Sequence, residues 1–353
     1  MNRRDNYLSL VNRTGYEKVP IDFAMCPSLY EKFTKYQKVN KLEFYIDCGY
    51  KRITDLVPAQ RNTDEFLKYF DFKLKDGVYI DKWGIAYEPG GVEAMHMTRM
   101  RHPMANFDSV QQVIEYPFPN YTNSSIENQS QEVDNAIKDG YATIGGMEMT
   151  IWETSWYLRG MENLMADMMT DDPIAEAILD KVTELAITRA EAFAKAGVDI
   201  IFLGDDIGMQ KTILMSEALY CEWLKSRLKK VIDSAKKIKP NILIFYHSCG
   251  FVTPFIPHLI DVGIDLLNPV QPECMDFRII HEAYGDKLSF HGTIGTQTTM
   301  PFGTPDDVRR EVFKNLEIAS DKGGLLVAPT HLLEPEVPIE NIIAYIKACA
   351  DFK

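Results

Sequence analysis

The chain has 353 residues, 46% hydrophobic and 25% charged, a balance typical of a globular protein with a large core. Its formal net charge of −13 repels phosphate backbones and anionic lipid, which argues against nucleic acid and membrane surfaces as partners. No apolar run approaches the roughly 20 residues of a membrane span, and the start MNRRDNYLSLVNRTGYEKVP lacks an apolar stretch, so no secretory signal is expected.

In chain order, the first strand candidate is residues 19–24 (VPIDFA). Residues 25–140 are more polar and less regular, with the stretches YIDCGYKRITD and YFDFKLKDGVYIDKWG and loops built on Pro89-Gly90-Gly91 and Tyr116-Pro117-Phe118-Pro119. They read as the first barrel units carrying long insertions near the mouth, with a βα unit hidden among residues 40–90. From about residue 140 one rhythm repeats: a short apolar run ends in polar or Gly residues, and an amphipathic stretch follows. The runs are 141–149 (YATIGGMEM), 198–207 (VDIIFLGDDI), 241–250 (NILIFYHSCG), 263–271 (GIDLLNPVQ), 288–295 (LSFHGTIG) and 323–331 (GGLLVAPTH). Continuous hydrophobicity of this kind marks strands buried on both faces of a parallel sheet. Helical patterns fill the gaps at 172–195, 216–237, 252–262, 275–284, 304–320 and 339–350. Ser216 and Thr304-Pro305 supply start signals, and Gly197 and Gly263 supply stops. About eight βα units fit either a closed (β/α)8 barrel or an open doubly wound sheet. No GxGxxG follows a strand, so the expectation is a TIM (β/α)8 barrel spanning residues 1–353 as one domain. The six cysteines form no compact framework and read as reduced thiols of a cytoplasmic protein.

In such a barrel the active site lies where strands end. The ends carry Glu148, Asp205, Asp206, His247, Cys249, Asn268, Gln271, His291, Thr330 and His331. His247 and Cys249 are the sharpest pair. Residues two apart on a strand share a face, and imidazole with thiolate is a donor pair that zinc prefers. His331, ending the last strand, is the expected third ligand, with Glu334 and Glu148 in reserve. The plainer alternative is a hydrogen-bonded histidine beside a small buried thiol. Asp205 and Asp206 can bind substrate, move a proton or orient a metal-bound histidine, or else cap a helix. Asn268, Gln271 and His291 are substrate-binding candidates. Trp152, Trp156 and Tyr157 can line a pocket for a planar ligand, and at helical spacing they fit core packing equally. The methionines at 147–169 read as core packing.

Several motifs occur together in order: YHSCG after an apolar strand, GIDLLNPVQP, FHGTIGTQ with FGTPDDVRREV, and GGLLVAPTHLLEPEVPIENI, with DKWGIAYEP and YPFP upstream. Together they resemble the uroporphyrinogen decarboxylase superfamily, and within it the corrinoid-dependent methyltransferase branch. The resemblance implies a TIM barrel and zinc-dependent methyl transfer to or from the cobalt of a corrinoid (cobalamin) on a separate small protein. In the coenzyme M methyltransferases of that branch, zinc is held by His-x-Cys and a later Cys near the last strand. His247 and Cys249 match the first two. The later position falls in APTHLLEP, where this chain has His331 and no cysteine. The true decarboxylases carry an RQAGR-like segment near the N-terminus, whereas RTGYEKVPIDFAMCPS here lacks it.

The expected activity is transfer of a methyl group from a small methoxylated or N-methyl compound to a corrinoid protein. In that scheme Asp205, Asp206 or Glu148 orients the substrate or manages a proton. Alternatives are methyl transfer from the corrinoid to a thiol or to tetrahydrofolate, a decarboxylase, and a non-catalytic corrinoid or tetrapyrrole binder. Homodimer formation is left open.

Overall fold

A computed structural model describes residues 1–42, 47–90 and 98–352. Its strands, in chain order, are β1 (Tyr50–Ile53), β2 (Tyr79–Ile80), β3 (Ala86–Pro89), β4 (Thr98–Arg101), β5 (Ala142–Glu148), β6 (Ile200–Gly204), β7 (Leu243–His247), β8 (Leu266–Asn268), β9 (Ser289–His291) and β10 (Leu325–Leu326). Seven of them form one parallel sheet in the order β1-β5-β6-β7-β8-β9-β10. Each apolar run after residue 140 supplies one strand, and β6 is buried along its whole length. The sheet has helices on its outer side, as the fully apolar strands require. The architecture is a TIM-like barrel. No helix among the described residues is long and apolar enough to cross a membrane, and all six cysteines are free.

Residues 19–24 form no ladder strand, which corrects the strand expected there. Pro20 has no N–H to give, and the segment closes the ring with single bonds instead. Ile21 N–H donates to Asp47 O beside β1, Leu333 N–H donates to Ala24 O, and Cys26 N–H donates to Leu333 O, at 2.9–3.0 Å. The strand sought among residues 40–90 is β1. Of the stretch beginning at Tyr45, residues 45 and 46 lie outside the described residues, as does Gly91 of the Pro89-Gly90-Gly91 loop.

The predicted helices appear with boundaries set by their caps. Pro173–Ala196 starts with Asp172 accepting from Ile174 N–H and ends on Gly197. Pro305–Ala319 carries a reciprocal Thr304/Asp307 capping box. Pro254 and Pro257 shorten the expected 252–262 helix to Ile256–Val262 after a 3₁₀ turn. The 216–237 stretch is helical but interrupted by a π turn at Cys221–Lys225. Helices Trp152–Arg159 and Met161–Met169 follow β5.

The irregular region holds a three-stranded antiparallel sheet, β2-β3-β4. Its strands are two to four residues long, too short to leave a periodic signal. Phe66, Trp83, Phe107, Tyr116 and Phe118 pack there against Leu158, Ile178, Val182 and Leu185 of two barrel helices. The resulting cluster is separate from the barrel interior, where Ile144, Ile200, Phe202, Phe245, Leu266 and Leu326 meet Tyr7, Leu10 and Val11. The last three belong to helix Arg3–Val11, which plugs the lower end.

Candidate metal centre

The parallel register sets the geometry of the upper end. Glu148 pairs with Gly204, Gly204 with His247, and His247 with Asn268, so four consecutive strands end on one level. Glycine at 204 is needed: an added Cβ would lie 2.8 Å from His247 Cβ and 2.9 Å from its carbonyl oxygen. Beyond the strands, two loops are stitched together. Asp205 N–H donates to His247 O at 3.0 Å and Phe251 N–H to Met209 O at 2.7 Å. Ile207 N–H donates to Ser248 Oγ at 3.0 Å and Cys249 N–H to Asp206 Oδ1 at 2.7 Å. Gly250 permits this closeness, with φ of +85° and Met209 O only 2.7 Å from where its Cβ would stand.

This stitching turns three donors toward one point. The ligand atoms of Asp206, His247 and Cys249 lie within 4.8 Å of one another. His247 Nε2 is 3.4 Å from Cys249 Sγ and 3.6 Å from Asp206 Oδ1. Tetrahedral zinc with ordinary Zn–N and Zn–S bonds separates its donors by about 3.5 Å. Among the described residues no Lys or Arg pairs with Asp206 or Cys249. Burial, then the charges of Asp206 and Glu153, pushes the Cys249 thiol up; a divalent cation reverses that pressure by favouring the thiolate. The donor set therefore fits zinc.

The His331 side chain is exposed and stands outside this group; the carboxylate of Asp206 occupies the third corner instead. His331 lines a cleft of about 450 Å³ with Cys249, Gln271, Met209 and Phe302. Gln271 Oε1 accepts from Gly250 N–H at 3.2 Å and so braces the loop that carries Cys249. Asp205 points away from the mouth. It is 4% exposed, accepts the N–H groups of Ile151 and Glu153 at 2.9–3.1 Å, and is pushed up to about 7 chiefly by burial. Glu148 is ion-paired with Arg52. Trp152 is 0% exposed within the main core and is not among the residues lining that cleft.

Three residues were not anticipated. Glu153 accepts from Asp206 N–H at 3.1 Å and from Tyr157 OH at 2.9 Å. Burial, with the charges of Asp206 and Asp205, pushes it up to about 8. Arg52 lies 5.2 Å from the centre of the Phe202 ring, whose stacked partner Phe245, 4.4 Å away, completes an aromatic floor. Asp22, the polar residue inside VPIDFA, bonds to His291 at 2.9 Å. Burial would raise its carboxyl, but bonding to His291 and Tyr50 and the Arg52 charge outweigh it and hold Asp22 below the usual range.

Residues 105–352 match the profile described as uroporphyrinogen decarboxylase (URO-D). The chain belongs to the uroporphyrinogen decarboxylase family. Within the family it is 29% identical over 205 residues to a methylcobamide:CoM methyltransferase, MtaA, of Methanosarcina barkeri, covering 58% of this chain and 57% of that protein. It is 23% identical over 223 residues to a uroporphyrinogen decarboxylase of Hydrogenovibrio crunogenus, covering 60% of each. The matched stretches thus span under two thirds of these relatives. Among solved structures, a methyltransferase from Methanosarcina mazei shares the fold over 99% of this chain and 98% of its own, with a TM-score of 0.67 and 18% identity.

Proposed function

We propose that the protein is a zinc-dependent methyltransferase that moves a methyl group from a small methoxylated or N-methyl compound to the cobalt of a corrinoid held by a separate small protein. The observation that carries this reading is the convergence of Asp206, His247 and Cys249 at the barrel mouth, in a chain whose aligned half is more similar to a methylcobamide:CoM methyltransferase than to decarboxylases. Zinc bound there supplies Lewis acidity that draws charge from the oxygen or nitrogen leaving the methyl group. His247 Nε2, Cys249 Sγ and an Asp206 oxygen would hold it, leaving the fourth position to substrate. Asp206 already accepts Cys249 N–H, which fixes its carboxylate plane. The cleft beside Cys249 is of the size of a small molecule, and the Phe202–Phe245 floor keeps water from rising through the barrel. A carboxylate in place of a second thiolate is a harder donor set, suited to oxygen or nitrogen ligands.

A second reading, transfer from methylcobamide to a thiol, is favoured by the name of the Methanosarcina barkeri relative. Free cobalamin separates the two. Methanol, methoxylated aromatics and methylamines offered with cob(I)alamin are expected to yield methylcobalamin, seen by its absorbance, in proportion to zinc content. Demethylation of methylcobalamin by small thiols alone would move the reading to the second direction. Zinc-free protein after reconstitution, with no turnover either way, would sink both.

A further inference from the structure

His247 has two ring nitrogens, and only Nε2 faces Asp206 and Cys249. Its Nδ1 lies 2.5 Å from Asn268 Oδ1. Asn268 Nδ2 lies 2.7 Å from His291 Nδ1 and 3.2 Å from His291 O, and His291 Nε2 lies 2.9 Å from Asp22 Oδ2. Four segments thus contribute one link each: β7, β8, β9 and the ring-closing segment around Asp22. Tyr50 OH donates to the same Asp22 oxygen at 3.1 Å, and Tyr345 OH donates to Asp22 O at 3.0 Å, so the far end is anchored.

With its imidazoles neutral, a hydrogen-bond chain with a carboxylate at one end has one permitted direction. The ionised Asp22 only accepts, so His291 carries its proton on Nε2. A neutral imidazole protonated there presents a lone pair at Nδ1, which must receive an N–H from Asn268. The second amide hydrogen faces His291 O, so reversing the amide would set its oxygen against a carbonyl and a ring lone pair. Asn268 Oδ1 is therefore turned to His247, and His247 must carry its proton on Nδ1. Its Nε2 is left with a lone pair aimed at the metal point. A histidine ligand is usually braced by one carboxylate or carbonyl; here an amide and a second histidine carry the instruction across three links.

We infer that Asp22, His291 and Asn268 are positioning residues that lock His247 in the Nδ1–H tautomer and so prepare Nε2 as a metal donor. The inference rests on the metal reading above for its purpose, but the tautomer itself can be read without metal. Long-range proton–nitrogen correlation on metal-free protein labelled with ¹⁵N-histidine is expected to show His247 as the Nδ1–H form, and a mixture in Asp22→Asn, whose amide can donate as well as accept. In parallel, zinc affinity is measured by chelator competition on wild type and two variants of similar size. His291→Gln keeps a donor toward Asp22 and an acceptor toward Asn268, and is expected to bind zinc within about threefold of wild type. His291→Leu breaks the chain, and is expected to lose about 10- to 100-fold. A purely packing role would favour Leu. Equal zinc affinity in the Gln and Leu variants, or a wild-type His247 protonated on Nε2, overturns the inference. A wild type with the Nδ1–H tautomer and no affinity for zinc would overturn the metal reading and leave the tautomer lock standing.

Discussion

Two groups of acids, one at each end of the barrel, meet opposite surroundings. At the lower end, Asp199 is 7% exposed and meets Arg4 through two bonds at 2.6 and 3.1 Å and Thr143 through its N–H and hydroxyl at 3.0 and 3.1 Å. Asp265 there receives Lys236 and the N–H of Ile244. At the upper end Asp205, Asp206 and Glu153 crowd together, and among the described residues none of them has a Lys or Arg partner. Burial and mutual repulsion push Asp205 and Glu153 up. Satisfied charge stabilises a fold, whereas concentrated uncompensated charge destabilises it and marks a place prepared for something else. The lower end is built to hold the barrel shut, and the upper end gathers the acids that, on the proposed function, would receive a cation.

That contrast can be broken from either side. The largest effect is expected for His247→Ala or Cys249→Ala: zinc falling from about one per chain to below about 0.1 by elemental analysis, with unfolding little changed because strand ends add little to the core. Retention of full zinc in both would mean that the upper cluster is not a metal site. Asp206→Asn keeps the shape but removes the charge, and should weaken zinc by more than about 100-fold, beyond what a merely supporting residue costs. A loss below threefold would demote Asp206 to a neighbour. At the other end, Asp199→Ala leaves Arg4 and Thr143 without their acceptor. It should cost about 2–3 kcal/mol in urea unfolding while zinc affinity stays within about twofold. A shift in metal affinity there would show that the ends are coupled. The smallest effect is expected for His331→Ala, which should change zinc affinity less than about twofold while leaving the cleft wider; a large loss would restore it as a ligand.

Much of this was legible because buried parallel strands announce themselves. Once 241–250 reads as a strand, His247 falls at its end with Cys249 two residues on; β7 in fact stops at His247, and the loop bonds through Asp206 and Ser248 bring Cys249 round to it. Asp205 and Asp206, just past β6, diverge: Asp206 reaches the mouth and Asp205 braces the chain entering Trp152–Arg159. Sequence alone did not say which. Asp22 hid inside an apparent strand, and Glu153 lies within a helix, one turn away from the ends that were searched. The Trp152 and Trp156 spacing left open a choice between pocket and core; Trp152 is fully buried, whereas Trp156 is only partly so. The small antiparallel sheet left no readable pattern, because β2 to β4 owe their order to the aromatic cluster beneath them more than to their own residues.

The stacked Phe202 and Phe245 rings, with helix Arg3–Val11 below them, make the cylinder a blind well with its rim at the strand ends. On the proposed function, the small methyl donor and the corrinoid protein would come in by the same door. On that reading size would dictate the sequence of arrival: the small visitor first, the large one as a stopper over it, and departure in reverse.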